Sequence, residues 1–216
     1  MTRNKTRFEG KSSNPLELSR QILRSYEEHK QAWKDNLHSP IRKAIWKPPP
    51  YGRVKLNFDV AIREEKTSLA IVGRDDKGEL LFAWAEQIEP GSPLVGEAKA
   101  ALCAIKRAIE NGFSKIIVKG DAWNVIDPLS NAEKTPHWSI VEVVTDILYF
   151  VKCFDSIVFS FVYREGNVPV HLLAQWAAFV NWVGSVPISK VPLLVSEAME
   201  RESFRPSRLL YSVSHK

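Results

Sequence analysis

The stretch Arg53 to Ala61, RVKLNFDVA, restricts the fold more than any other part of the chain, because it alternates as a β-strand and carries an acid where strands rarely have one. Val54, Leu56, Phe58 and Val60 share one face by the two-residue period of a strand, while Lys55, Asn57 and Asp59 share the other. A carboxylate lying under neighbouring elements must be solvated, paired or bound to a metal. Asp59 is therefore a candidate site residue, and the remaining elements are judged by whether they bring company to it.

Two further strands follow, over Leu69 to Arg74 and Glu79 to Gln87, separated by the D-D-K-G turn at Asp75 to Gly78, so that the first three strands form an antiparallel meander. Ile88 to Gly96 holds two prolines and two glycines and reads as a loop. Helical periodicity starts at Glu97, with Ala98, Ala101, Leu102, Ile105, Ala108 and Ile109 apolar, and Asn111-Gly112 ends it. A buried-type strand over Lys115 to Lys119 and a short helix over Ala122 to Ser130 come next. A longer helix spans Ser139 to Cys153, Asp155 to Tyr163 alternates as a strand, and a last helix covers Pro169 to Trp182. The order β-β-β-α-β-α-α-β-α predicts an α/β fold, a five-stranded mixed sheet flanked by helices.

Outside this core the chain changes character. Residues 1 to 13 are polar and charged, and Asn14-Pro15 opens a helix to about Asn36 whose thin apolar stripe suits a protein partner. Trp46, the prolines 48 to 50, Tyr51 and Gly52 read as a stiff linker. The domains expected are an extension over 1–45, a core over 46–184 and a tail over 185–216, mobile apart from a short helix around Ser196 to Arg201. The formal charge of +5 is concentrated in the two ends, as solvated tails or as phosphate contacts. A charged N-terminal stretch and the lack of a long apolar run argue against secretion and membrane insertion, so an intracellular protein, nuclear or cytoplasmic, is expected. Cys103 and Cys153 have no metal spacing and are read as buried thiols.

Three acids stand where this topology can gather them: Asp59 on the first strand, Glu97 at the opening of the first long helix, and Asp121 at the C-terminal end of the fourth strand. Ligands of α/β sheets bind at such strand ends. Clustered carboxylates repel one another unless a divalent cation neutralises them, which predicts Mg²⁺ or Mn²⁺. Each acid also has a plainer role open to it. Glu97 in a first helical turn is favourable with the helix dipole alone, and for Asp121, before Ala122, the plainer role is that of an N-cap.

Four blocks, WKPPPYGRVKLNFDVA, GEAKAALCAIKRAIENGF, KIIVKGDAWNVI and FVYREGNVPVHLLAQWA, resemble the ribonuclease H-type domain of plant proteins and of plant retrotransposon-derived reverse transcriptases, over residues 46 to 182. The resemblance implies a ribonuclease H-like three-layer fold and two-metal hydrolysis of the RNA strand of an RNA–DNA hybrid. It implies that Asp59, Glu97 and Asp121 are catalytic metal ligands, and it puts His171 as a fourth, altered metal ligand where many active members have a fourth carboxylate. Val60, Gly120 and Val170 depart from the pattern. Val60 is expected to crowd a substrate sugar. Arg164 stands in the loop where active relatives carry a histidine, and no basic handle is evident between Asp121 and Asp155. Asn57, Asn124, Arg164 and Asn167 are the candidates for substrate hydrogen bonds, and Trp123 and Trp138 are read as core or rim aromatics. Three functions remain open: a metal-dependent nuclease, a catalytically weak nucleic-acid-binding module, and a protein-interaction module using the N-terminal helix.

Overall fold

The computed structural model describes residues 46–203 together with Arg20. The helix expected over 15 to 36, apart from Arg20, and the chain beyond residue 203 lie outside the described residues. The chain divides into two units, Met1–Arg42 and Lys43–Lys216, and the sheet belongs to the second.

Six strands form that sheet in the order β5-β4-β1-β2-β3-β6. β1 (Val54–Ile62), β2 (Thr67–Arg74) and β3 (Leu80–Ile88) make the expected antiparallel meander, while β4 (Lys115–Gly120) runs parallel to both β1 and β5 (Ser156–Phe161). The sixth strand, β6 (Gly184–Val186), corrects the five-stranded expectation. Three residues are too few to carry a periodicity, and β6 owes its place to antiparallel pairing with β3, Ala83 opposite Val186.

β1 is central and buried on both faces, so its alternation sorts side chains between two helical layers. Leu56, Phe58 and Val60 face α1 (Pro93–Glu110), where Ala98, Ala101, Ala104 and Ala108 are fully buried and let the helix lie close. α2 (Trp123–Ser130) adds Val125, Ile126 and Leu129 to this core, and α3 (Val141–Val151) adds Val144 and Ile147. Helix α1 begins four residues before the expected Glu97. Ser92 caps it, its hydroxyl accepting from Val95 N at 3.3 Å, and Pro93 supplies the first turn. Gly96 belongs to this helix rather than to a loop: a Cβ there would meet Thr67 Cγ2 at 3.3 Å and Val60 Cγ1 at 3.6 Å. Val60 is thereby spent on helix packing on the core side of the strand, which corrects its expected role of crowding a substrate.

On the opposite face α4 (Val168–Val180) crosses β1 and β2 above a floor of small buried residues, Ala70, Val72, Ala83 and Ala85. The tail expected after residue 184 is structured as far as Ser203. Beyond β6, α5 (Leu193–Ser203) packs on α4, and burying Leu194 and Val195 contributes about 2 kcal/mol each. Glu202 on α5 accepts from Arg74 Nη2 at 2.8 Å, both side chains being buried. The other end of the unit meets the same arginine. Trp46 is buried with its ring centroid 4.0 Å from Arg74 Cζ and 4.6 Å from Lys55 Nζ, while the Lys55 amine donates to the Lys47 carbonyl. Cys103 is buried but Cys153 is exposed, which corrects half of the thiol expectation. Among the described residues no helix is long and apolar enough to cross a membrane.

Candidate metal centre

Asp59, Glu97 and Asp121 converge, each offering one oxygen such that the three lie within 4.8 Å of one another. Asp59 comes from the polar face of β1 and is 1% exposed, with Oδ1 accepting from Val60 N at 2.7 Å. Glu97 stands in the second turn of α1, so the first-turn dipole role open to it from sequence does not apply. Asp121 follows directly on β4. The N-cap of α2 is Ala122 and makes no side-chain bond, which removes the capping role as well. The close approach of β4 to β1 explains Gly120: a Cβ there would sit 2.2 Å from Phe58 Cζ.

The electrostatics follow from the crowding. Burial, then the Asp59 and Asp121 charges, push Glu97 well above the ordinary carboxylate range, with Arg164 opposing. Burial and then Asp59 push Asp121 up to about 6, again against Arg164. Glu97 Oε2 is buried without a hydrogen-bond partner among the described residues. An oxygen-only set with an unspent buried acceptor fits a hard divalent cation.

His171 on α4 stands behind this set. Its Nδ1 lies 2.8 Å from Asp59 Oδ2, and its Nε2 lies 3.0 Å from Gln175 Nε2 and 3.1 Å from Arg164 Nη2. Arg164 Nη2 is equally 3.1 Å from Nδ1, so it is the Asp59 carboxylate at Nδ1 and the Gln175 amide at Nε2 that assign the proton to Nδ1, which donates to Asp59. Arg164 also reaches Asp121, Nη1 to Oδ2 at 3.3 Å. The sequence reading missed Gln175, although its position one helical turn after His171 is a readable spacing.

The four expected substrate contacts separate into two kinds. Asn57 and Asn167 are buried and spent on structure: Asn57 Nδ2 donates to Asn167 Oδ1 at 2.8 Å, and Asn167 Nδ2 donates to the Phe58 carbonyl at 2.9 Å. Arg164 and Asn124 are exposed. Trp123 is a rim aromatic packed edge-on against Phe161 at 5.6 Å, and Trp138 is 81% exposed, its ring 5.3 Å from that of His137, so it is not a core residue.

Solved structures with this architecture include a ribonuclease H1 from the halophilic archaeon Halobacterium salinarum, at 23% identity and TM-score 0.55 over 60% of this chain and 99% of that one. The N-terminal ribonuclease H domain of a Mycobacterium tuberculosis protein, solved as a maltose-binding-protein fusion, matches at 18% identity and TM-score 0.53 over 60% of this chain and 99% of that one. A ribonuclease H1 isolated from compost matches at 18% identity and TM-score 0.55, over 60% and 98% respectively. At such identities the likeness establishes the ribonuclease H-like fold. No curated protein matches the sequence. The family model described as reverse transcriptase-like matches residues 57–177, more than half of the 216 residues and every acid of the cluster, and the chain belongs to that family.

Proposed function

We propose that the protein is a divalent-metal-dependent ribonuclease H that hydrolyses the RNA strand of RNA–DNA hybrids. The observation that carries this reading is the gathering of Asp59, Glu97 and Asp121 within 4.8 Å on a ribonuclease H-like sheet. The motif blocks of the sequence support a place in the plant, retrotransposon-derived branch of such domains. Asp59, Glu97 and Asp121 would hold Mg²⁺ or Mn²⁺. Cations bound there supply a water of lowered pKa and positive charge at the phosphate and the departing 3′ oxygen.

The chain's own residues do the positioning. His171 fixes the orientation of Asp59 by donating from Nδ1, and Gln175 holds the far side of the same ring. This makes His171 a positioning residue for the carboxylate rather than a fourth metal ligand. Asn57 and Asn167 tie β1 to the start of α4 and so keep His171 over Asp59. Arg164, its side chain 46% exposed, and Asn124 are the groups that a phosphodiester or a ribose hydroxyl can reach.

The test is cleavage of a labelled hybrid with Mg²⁺ and with Mn²⁺, beside an Asp59→Asn control. Metal-dependent cleavage well above the control is expected, and cleavage no greater than the control refutes the reading. A second reading, a binding module without turnover, is favoured by one observation: Arg164 already pairs with Asp121 where a cation would compete. It gives hybrid binding that weakens steeply with salt and no product.

A further inference from the structure

The side chain whose contacts the carboxylate cluster does not by itself explain is Arg164. It sits in a single 3-10 turn, Arg164–Gly166, between β5 and α4. The turn is closed by Gly166 N donating to Tyr163 O at 2.8 Å and Asn167 N donating to Arg164 O at 3.0 Å. From there Nη1 reaches Asp121 Oδ2 at 3.3 Å and Nη2 lies 3.1 Å from both nitrogens of the His171 ring, of which Nδ1 bonds Asp59 Oδ2 at 2.8 Å. One guanidinium thus joins two of the three acids, Asp121 directly and Asp59 through the imidazole.

A fixed positive charge there has two consequences. It relieves the mutual repulsion of the carboxylates, standing 3.3 Å from Asp121 Oδ2. It also repels any cation that would share Asp121, and unlike a lysine or a histidine it cannot withdraw by losing its proton. We propose that Arg164 takes the place of one of two cations, so that the protein without nucleic acid holds a single divalent ion on Asp59, Glu97 and Asp121. This rests on the reading of those three acids as a metal site, and it lowers the ion count that the family resemblance implies. The half-exposed guanidinium remains able to turn to a phosphate when a nucleic acid arrives, since its planar fork matches phosphate oxygens.

The experiment is Mn²⁺ binding without nucleic acid, by calorimetry and by electron paramagnetic resonance, on the full chain as wild type, Arg164→Ala and Arg164→Lys, with melting temperatures in chelator. Wild type is expected to take one Mn²⁺ and Arg164→Ala two. The first ion should bind Arg164→Ala about tenfold more tightly, a coupling of ordinary size for charges that share ligands. Arg164→Ala should melt lower than wild type in chelator, with the gap closing at saturating Mn²⁺, and Arg164→Lys should keep a single ion. Two ions on the wild type, equal counts and affinities in wild type and Arg164→Ala, or no binding to any of the three overturns the proposal. The nuclease reading is judged separately. One ion against two with no hybrid cleavage leaves Arg164's role standing and removes the activity, and cleavage with unchanged ion counts does the reverse.

Discussion

Glu202 on α5 offers a test in which two electrostatic effects of opposite sign compete. Its ion pair with Arg74 favours the charged carboxylate, and its burial favours the neutral acid. Burial is the larger cause, so the pKa stands at about 7 against 4.5 for a free glutamate, with Arg74 and Lys55 pulling down without prevailing. The folded protein therefore binds a proton that the unfolded chain releases. The associated stability is complete below pH 4.5 and is lost as pH rises through 7. At 1.36 kcal/mol per pKa unit, the part lost between pH 5 and pH 7.5 is about 2 kcal/mol. Stopping at 7.5 avoids the neighbouring Lys55, which burial and the Lys119 and Arg74 charges lower to about 8. Glu202→Gln keeps the shape and removes the titration, so subtracting its stability from that of wild type cancels groups that titrate in both. Urea denaturation in chelator at the two pH values reads the difference. With an m-value of about 2 kcal/mol/M, wild type should lose about 1 M in midpoint relative to Glu202→Gln on going from pH 5 to 7.5. A flat difference would mean that the ion pair cancels burial, wild type gaining on the variant as pH rises would mean that it outweighs burial, and either result would refute the reasoning.

Two further substitutions probe the supports of the candidate site. Gly120→Ala brings a methyl within 2.2 Å of a fully buried Phe58 ring and should cost about 3 kcal/mol, seen as a lower melting temperature. Adding Phe58→Leu should recover part of that loss, and a melting temperature unchanged by Gly120→Ala would contradict the close approach of β4 to β1. Asn167→Ala strips partners from the buried Asn57 amide and the Phe58 carbonyl and should cost about 2 kcal/mol. A double-mutant cycle with Asn57→Ala should return a coupling of about 1 kcal/mol by denaturation, and strict additivity would deny the pair.

The sequence disclosed this fold unevenly, for physical reasons that differ from place to place. β1 was readable because a strand buried on both faces still alternates when one face carries polar groups, and its acid stood out for the same reason. The first helix was readable through its alanines, but its start was hidden, since Gly91 and Gly96 masked the Ser92 cap and the Pro93 first turn. β6 gave no signal because its pairing partner, not its own pattern, makes it a strand. Asn57 and Asn167 resemble substrate contacts in the sequence because residue type reports hydrogen-bonding capacity and not where it is spent. Gln175 and the Arg164 contacts arise where the turn after β5 meets α4, a meeting that only the folded chain supplies.

The polar face of β1 ties the site to the fold more closely than the acid cluster alone would suggest. Lys55, Asn57 and Asp59 occupy successive positions on that face, each buried, and each is contacted by a different segment. Lys55 is held by the Trp46 strap, Asn57 by Asn167, and Asp59 by His171. The last two partners stand one helical turn apart on α4, joined by the backbone bond from His171 N to Asn167 O at 3.1 Å. A shift of α4 along β1 cannot break one of these side-chain bonds and spare the other. The structural amide pair therefore sets the register in which the imidazole meets its carboxylate, so that a change at Asn57, which touches no acid of the site, acts on Asp59 through the helix.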